Sequence, residues 1–428
     1  MIAALLFVLL LAAGAGLAYV MGAGAVLAYV ASGNGAFLAA LPQRIFSSVD
    51  VFAFMAIPLF VLVGELMNRG GITRALVDLA VALVGRRRGA LGYVNVLAGL
   101  FFAGISGAAM ADAAALSSTL VPAMRERGYK DTYAGAITAA SAILGPIIPP
   151  SIILVFYGAI MNVDVAALLA AGVGPGALLA VMLMLANWYF ARRYGHPGGL
   201  SEDRVPFWPA LWRALPALSL PVVIVGGIVF GWMTPTEAAG IAVAAAVAVG
   251  YFYRTLDVSS VGESIVRATI LSGSIFAIII AASGIGFVAT LTGLPAAISH
   301  LAIDLGLGLW GYMAALTVLF LIVGVFLDTQ IGLALIAPIV VPVAIAQGAN
   351  PVHIGVAICL NLSIGLLAPP AGGVLIVTAT TAGIPYWRLV RATLPFLVIE
   401  IAALLLVVFV PEISLLIPRH FGLLHGGG

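Results

Sequence analysis

The sequence predicts an all-α polytopic membrane protein that is built as an inverted-topology repeat, with two re-entrant helical hairpins and two broken helices. Three observations lead to this fold. Of the 428 residues, 63% are hydrophobic and 8% are charged, whereas a soluble protein carries about 25% charged residues. The basic residues are distributed unequally between the loops, and a set of glycines and prolines recurs at one fixed offset along the chain.

The apolar runs of the sequence are about 20 residues long or longer, the length that a helix needs to cross a bilayer. They lack the roughly ten-residue alternating segments of an outer-membrane barrel. The first run, MIAALLFVLLLAAGAGLAYV, has no basic segment before its apolar part, so we interpret it as a retained span and not as a cleaved signal. We therefore expect a multi-pass protein of the bacterial or archaeal inner (cytoplasmic) membrane, surrounded by lipid. The net charge of +2 comes from dispersed cations and does not indicate nucleic-acid binding.

The basic residues predict the orientation of the spans, because Lys and Arg in short loops mark the cytoplasmic side. All of them except Arg44 and Arg419 fall in groups that we place in the cytoplasm. The loops without basic residues, at 162–164, 233–237 and 347–353, then face outward.

Two intervals of the chain do not fit simple spanning helices. Each is too long for one crossing and too short for two crossings with a turn, and the first has cytoplasmic flanks whereas the second has outer ones. A re-entrant helical hairpin fits each interval, near 93–124 and near 312–345. Re-entrant backbone is tolerated only when it is buried in protein or lines an aqueous cavity. We therefore expect both hairpins inside the molecule.

An internal repeat relates the two halves of the chain. Sliding the sequence by 220 residues without a gap superimposes glycine on glycine and proline on proline, the two residues that most strongly dictate the backbone path. The turn after the first hairpin, RERGYKD, is basic, and its counterpart QGANPVH carries no Lys or Arg. The copies thus have opposite orientations, as in many secondary transporters. The matched pairs are Gly104 and Gly324, Pro122 and Pro342, Gly128 and Gly348, Gly135 and Gly355, Gly145 and Gly365, Pro149 and Pro369, and Pro150 and Pro370.

The repeat predicts the domain organisation. The first repeat covers 1–195, a cytoplasmic connection covers 196–214, and the second repeat covers 215–428. In each repeat we expect initial spanning helices, an amphipathic arm on the membrane surface, a hairpin, a broken helix and a returning helix. The arms are predicted at 72–85 and 294–308, and the broken helices at 132–163 and 354–381.

The segments GPIIPPS (145–151) and GLLAPPAGG (365–373) predict the two helix breaks. Proline removes a backbone donor, and its ring frees carbonyl groups in the preceding turn. Freed carbonyls coordinate Na⁺, and the N-termini of half-helices favour anions. The alternative is a proline kink that serves packing alone. The candidate sodium-binding residues in the breaks are Gly145, Pro149, Ser151, Gly365 and Pro369.

Each hairpin contains one charged residue, Asp112 in the first and Asp328 in the second. A carboxylate at membrane depth is expensive and marks an ion or substrate pathway by default, although an Asp could instead cap a half-helix. Both acids are candidate sodium ligands, together with Ser106 and Thr329 at the hairpin tips. Hydroxyls often only bond back to their own helix. The candidate substrate-binding residues are Ser106, Ser141, Asn361 and Ser363.

Neither hairpin and neither broken helix contains Lys, Arg or His. A carboxylate substrate would therefore bind through helix N-termini, hydroxyls and Na⁺. No zinc-binding HExxH motif and no P-loop occurs, so we expect no ATP hydrolysis, no metalloprotease activity, no transition-metal site and no cofactor, with Na⁺ as the coupling ion. An enzyme that uses Asp112 and Asp328 as a catalytic pair is disfavoured, because they lie on hairpins that enter from opposite sides. We place the histidines in loops or on surfaces: His196, His300, His353, His420 and His425.

Four stretches resemble the large membrane subunit (DctM-like) of the tripartite ATP-independent periplasmic (TRAP) transporters. They are residues 56–85, 102–129, 138–158 and 234–240, of which the second reads FAGISGAAMADAAALSSTLVPAMRERGY. The resemblance implies the translocating subunit of a secondary transporter and not an enzyme. Its partners would be a small four-helix membrane subunit and a periplasmic substrate-binding protein. It further implies uptake of carboxylates or related organic anions, of the dicarboxylate or sialic acid type, driven by a Na⁺ gradient with an elevator-type movement of the hairpin-bearing part.

The resemblance also implies that the tips at Ser106–Asp112 and Asp328–Thr329, together with the two breaks, contribute to the Na⁺ sites. One departure is visible, since Ala108 stands where the family motif GxSGSAxAD has its second serine. Coordination by side chains or by carbonyls therefore stays open at this tip. A stand-alone Na⁺- or H⁺-coupled anion transporter that needs no binding protein is the alternative function, and the identity of the substrate is open.

Overall fold

The computed structural model describes residues 14–31, 35–70, 72–85, 87–198 and 205–424. Within these residues the chain forms nineteen α-helices and no β-strand, and eight helical segments are long and apolar enough to cross a membrane. The predicted first span lies partly outside the described residues.

The helices of the first half begin with four that precede the first hairpin. The hairpin itself consists of α5 and α6, the broken helix consists of α7 and α8, and the long α9 returns across the membrane. Their bounds are α1 Leu17–Ala31, α2 Leu41–Val49, α3 Ala56–Arg69, α4 Ile72–Val84, α5 Ala90–Ser106, α6 Ala109–Glu126, α7 Asp131–Ala142, α8 Ile152–Met161 and α9 Val165–Arg193.

The second half repeats this order. Helices α14 and α15 form the second hairpin, α16 and α17 form the second broken helix, and α18 is the returning helix. The bounds are α10 Phe207–Val229, α11 Pro235–Phe252, α12 Val258–Leu291, α13 Leu294–Asp304, α14 Leu309–Phe326, α15 Thr329–Ala346, α16 Pro351–Gly365, α17 Gly373–Ala382, α18 Tyr386–Phe409 and α19 Glu412–His420.

The hairpin helices match between the halves at the offset of the repeat. Helix α6 starts and ends 220 residues before α15. The first tip turns through Gly107, whose φ of 60° is left-handed, and Ala108, which is extended. The second tip turns through Leu327, which is also extended. Glycine adopts positive φ without steric penalty, which explains why Gly107 occupies the left-handed position of the first tip.

Both predicted breaks interrupt a helix. Residues 143–151 separate α7 from α8, and residues 366–372 separate α16 from α17. Each break contains one cis peptide bond, between Pro149 and Pro150 and between Pro369 and Pro370. In the first break the Ser151 hydroxyl donates to the Pro146 carbonyl and accepts the Leu154 N–H at 3.2 Å, which caps α8.

The hairpins and the broken helices are interlocked. Helix α6 packs against α7 of its own half and against α17 of the other half, and α15 packs against α16 and α8 in the same way. Reciprocal contacts of this kind are what a two-fold relation between equivalent units produces. Together with the basic character of only the first of the two turns that follow the hairpins, they confirm the predicted inverted repeat with two hairpins and two broken helices.

We divide the helices into two groups by their place in the repeat. We call α5–α9 and α14–α19 the hairpin group, and α1–α4 and α10–α13 the scaffold group. Within the scaffold, α3 packs on α11 and α12, and the predicted arm α4 packs on α10. The groups meet where α3, α4 and α10 contact α5, where α3 contacts α8, where α10 contacts α9, and where α12 and α13 contact α15. This boundary places scaffold helices beside both hairpins.

The link between the repeats begins on the hairpin group. The Pro197 carbonyl accepts hydrogen bonds from the Gly89 N–H at 3.0 Å and from the Tyr129 hydroxyl at 3.1 Å. Residues 199–204 of the predicted cytoplasmic connection lie outside the described residues, and α10 already begins at Phe207. The repeat boundaries at 195 and 215 stay a prediction.

Candidate functional site

A cavity of about 380 Å³ lies between the two hairpins and scaffold helices α3 and α12. Asp112 and Asp328 line its hairpin side. Glu65 and Asn68 of α3 and Ser274 of α12 line its scaffold side. The cavity therefore lies at the boundary between the two helix groups, and the acids of both hairpins reach it.

Asp112 is the buried acid of this site. It lies in the first turn of α6 and is 1% exposed. Its N–H donates to the Ala108 carbonyl at 3.1 Å, so Ala108, and not Asp112, is the cap residue. Its Oδ2 lies so close to Gly145 that a side-chain methyl there would overlap with it. The structure thus brings the acid of the first hairpin into contact with the first helix break.

Asp328 has a different role in the local structure. It is the N-cap of α15, where its Oδ1 accepts the Gln330 N–H at 3.2 Å, and it is only half-buried. The neighbouring Thr329 hydroxyl lies 3.4 Å from Oδ1 and 3.2 Å from Gln330 Oε1. The capping alternative therefore holds for Asp328, and its carboxylate also lines the cavity. Although the two acids belong to opposite hairpins, one cavity collects both.

Three of the predicted substrate ligands, Ser141, Asn361 and Ser363, lie near the breaks and are not among the described lining residues of this cavity. Ser141 and Asn361 are buried and stand 220 residues apart, in equivalent positions of the repeat. The Asn361 Nδ2 donates to the Thr317 carbonyl of α14 at 3.0 Å. Within the described part of the chain, Ser141 Oγ and Asn361 Oδ1 have no hydrogen-bond partner. The Ser363 hydroxyl bonds back to the Cys359 carbonyl at 2.7 Å.

The side chain of Ser106, a predicted ligand at the first hairpin tip, lies outside the described residues. The roles of Ser106, Ser141, Asn361 and Ser363 in substrate binding stay predictions.

Glycines allow close backbone contacts at both helix breaks. A Cβ added at Gly107 would lie 3.3 Å from the Pro150 carbonyl oxygen, so the first tip touches the first break. At Gly372 it would lie 2.5 Å from the Leu366 oxygen and 2.6 Å from the Ala368 oxygen. Gly365 packs against the backbone of Gly324 in the second hairpin. Carbonyl oxygens are donors that suit Na⁺, and the two oxygens at Gly372 each also accept one backbone N–H at 3.1 Å.

The described residues contain no group of three or more His, Cys, Asp or Glu that could hold a metal ion. The donor set in the breaks and at the hairpin tips therefore consists of carbonyl oxygens, hydroxyls and single carboxylates.

Several residues at the cavity were missed by the sequence analysis. Glu65 lies within the apolar run AIPLFVLVGELM, and the rule that identified the hairpin acids would have identified it as well. Asn68 follows one turn later on the same helix. Ser274 and Gln330 carry no sequence signal, because ordinary polar residues in long helices acquire a role only through packing.

Two other groups correct or extend the sequence analysis. The placement of His353 in a loop or on the surface was wrong. It is buried in α16, where its ring nitrogens lie 2.8 Å from Ser414 Oγ and 3.1 Å from the Val408 carbonyl oxygen. Glu400 in α18 is fully buried, and neither of its carboxylate oxygens has a hydrogen-bond partner in the described part of the chain. Burying a carboxyl group without hydrogen-bond partners is unfavourable, so Glu400 is a second acid at membrane depth that the sequence analysis did not identify.

The long ordered match along the chain decides the family. Residues 4–413 match the family model of the tripartite ATP-independent periplasmic transporter, DctM component. The chain belongs to this family. The sialic acid TRAP transporter large permease protein SiaM of Vibrio cholerae is 37% identical over 381 residues, with 89% of each chain covered. The C4-dicarboxylate TRAP transporter large permease protein DctM of Pseudomonas aeruginosa is 34% identical over 384 residues, with 90% of each chain covered.

The fold of this large TRAP permease is also found in a solved structure. The Alcanivorax borkumensis YdaH transporter, whose crystal structure has an unusual topology, matches with a TM-score of 0.57 over 91% of this chain and 90% of that chain. The sequence identity is 14%, so this likeness concerns the fold alone.

Membership of the family establishes the general activity and location. The relatives are transporter permeases and not enzymes. As a large TRAP permease with eight membrane-crossing helical segments in its described part, the chain is a multi-pass inner-membrane protein of secondary transport. It transports organic acids together with a binding protein and a small membrane subunit.

Proposed function

We propose that this permease couples a Na⁺ gradient to the uptake of carboxylates or related organic anions, which a periplasmic binding protein delivers. One observation carries the proposal. The cavity between the hairpins and the scaffold is lined by the carboxylates of Glu65, Asp112 and Asp328, and the described lining residues include no Lys, Arg or His.

The acids that line this cavity favour cation coupling for an anionic substrate. Two like unit charges about 4 Å apart repel each other by about 4 kcal/mol at the effective dielectric constant near a protein surface. An organic anion beside three carboxylates would therefore be rejected unless cations enter with it. Na⁺ suits the available donors, which are the Asp112 and Asp328 carboxylates and the carbonyl oxygens of the two breaks.

The division into two helix groups supports an elevator-type movement. Both hairpins and both broken helices belong to the hairpin group, whereas Glu65 and Ser274 belong to the scaffold. In inverted-repeat transporters alternating access is largely a rigid-body movement of one part against the other. The hairpin group would carry the substrate and its Na⁺ ions past a scaffold that is held by the small four-helix subunit and by lipid.

Reconstitution in proteoliposomes tests this function. The permease, the small subunit and a loaded binding protein are expected to accumulate the substrate only when an inward Na⁺ gradient is imposed. Uptake that follows a pH gradient and ignores Na⁺ would overturn Na⁺ coupling. Na⁺-driven uptake by the chain without any binding protein would instead favour the stand-alone transporter.

A further inference from the structure

The two walls of the cavity offer different hydrogen-bonding groups. The hairpin wall carries Asp112 and Asp328 beside the tips and breaks that supply carbonyl oxygens. The scaffold wall carries Glu65, Asn68 and Ser274. The cavity lies between these two walls, so a molecule long enough to span it would meet different groups at its two ends.

Most of the scaffold wall is apolar, and hydrogen-bond acceptors predominate among its few polar side chains. Glu65 lines the cavity and makes no hydrogen bond or ion pair with any residue in the described part of the chain. An ionised carboxylate only accepts hydrogen bonds. The Ser274 hydroxyl donates its proton to the Ile270 carbonyl at 3.0 Å, so it too presents lone pairs to the cavity. The Asn68 amide is the one side chain of this wall that can donate as well as accept.

The pairing of these walls defines the ends of a suitable substrate. The hairpin wall gathers ligands for cations, which would screen the carboxylate of a substrate. The scaffold wall has unsatisfied acceptors and no basic side chain among its described lining residues. A hydroxyl or ammonium group satisfies such acceptors, whereas a second carboxylate placed there would lie against Glu65 without an intervening cation.

We propose that Glu65 is a specificity-determining residue that selects organic anions with one carboxylate and with hydroxyl or ammonium donors at the opposite end. This inference rests on the proposed function and names the substrate class of the same cavity. The volume of about 380 Å³ is near the lower end of the range for small-molecule pockets. One small organic acid therefore fills the cavity and contacts both walls.

Direct binding to the purified complex of this chain with its small subunit tests the inference without selection by the binding protein. Three six-carbon probes differ only in the relevant groups: gluconate has hydroxyls and one carboxylate, adipate has two carboxylates, and hexanoate has one carboxylate and no hydroxyl. Isothermal titration in Na⁺ is expected to give the order gluconate, hexanoate, adipate, from the tightest to the weakest.

The Glu65→Gln variant is expected to weaken gluconate binding and to strengthen adipate binding. We expect the affinity for gluconate to fall about tenfold, which is the lower end of what one hydrogen bond to a charged acceptor contributes. Because Glu65 has no partner in the described part of the chain, this variant should unfold at the wild-type temperature without ligand. Asp304→Asn, which removes an exposed acid of α13 away from the cavity, is the matched control and should leave all three affinities unchanged.

The outcomes separate the inference from the function on which it rests. If gluconate and adipate bind with equal affinity, or if Glu65→Gln leaves their ratio unchanged while binding still depends on Na⁺, the role of Glu65 is overturned and the proposed function survives. If none of the probes binds in a Na⁺-dependent manner, both are overturned.

Discussion

The acids of the two hairpin tips differ in their local structure. Asp112 of the first tip lies inside the first turn of α6 and is buried against the first helix break. Asp328 of the second tip precedes α15, caps that helix and is half-buried. The helices around them match at one offset, but the acids do not, because the counterpart of Asp112 is Gly332. The repeat therefore duplicates the backbone framework without duplicating the chemistry. We expect Asp112 to act mainly as an ion ligand, and Asp328 to divide its carboxylate between structure and transport.

The largest expected effect separates the two acids. Asp112→Asn replaces a buried carboxyl group that lies against the first helix break, and we expect Na⁺-driven uptake to fall about 100-fold, near the upper end for one interaction with a charged group. Asp328→Asn keeps an effective capping side chain, and we expect a loss of about tenfold. Initial uptake rates in proteoliposomes measure both effects, with Asp304→Asn as the control. Equal losses at the two positions would contradict the proposed division of roles.

The glycines of the two breaks provide the next contrast. A methyl at Gly365 would lie 2.5 Å from the Gly324 Cα, and backbone cannot move away cheaply. We expect Gly365→Ala to lower the free energy of unfolding by about 1–3 kcal/mol. A methyl at Gly145 would meet the Asp112 side chain instead, so Gly145→Ala should impair transport more than stability.

Thermal unfolding in detergent, together with uptake, measures this second contrast. Gly240→Ala in α11 is the control, since an added methyl there meets open space. The contrast fails if Gly145→Ala and Gly365→Ala lose stability and transport in the same proportion.

A smaller effect concerns the caps of the half-helices after the breaks. Ser151 caps α8 with its side chain, whereas α17 begins after Gly372 without a side-chain cap. Ser151→Ala should lower stability by about 1 kcal/mol and increase hydrogen exchange in α8 but not in α17. Faster exchange in both half-helices would mean that the cap supports the interlocked pair as a whole.

The smallest expected effect depends on pH. His196 is buried beside the Tyr129 and Tyr133 rings, at 5.0 and 4.1 Å, and the second half has Ala349 and His353 in place of these tyrosines. Burial, with a contribution from Lys130, lowers the pKa of His196 from its ordinary value. The neutral form therefore stabilises the folded state, and this stability is present above pH about 6.5 and lost as the pH falls below it. His196→Phe should weaken the decrease in melting temperature between pH 7 and 5.5, and an unchanged pH profile would exclude this contribution.

The sequence predicted the framework well because glycine and proline act on the backbone directly. The hairpins expected near 93–124 and 312–345 run over 90–126 and 309–346, and the breaks fall at GPIIPPS and GLLAPPAGG. Glycine permits positive φ and close backbone contacts, and proline restricts φ and removes a donor, wherever they stand. The spacing of these residues is therefore a structural signal.

The scaffold wall of the cavity could not be predicted in the same way. Ser274 lies in the 34-residue helix α12, and nothing local distinguishes it from other polar residues of that helix. It reaches the cavity because α12 packs on α3 and α15. Glu65 is the exception, since an acid in an apolar run is itself a signal.

The interlocking of hairpins and broken helices has a consequence for biogenesis. Helix α6 packs on α17, which follows it by more than half the length of the chain, and α8 has to await α15. While the ribosome is still synthesising the second half, the first hairpin and the first break are in the membrane without their final neighbours, and polar backbone exposed to lipid is unfavourable. We expect the first half, expressed alone, to be held by insertion factors or degraded, and to become stable only when the second half is supplied as a separate chain.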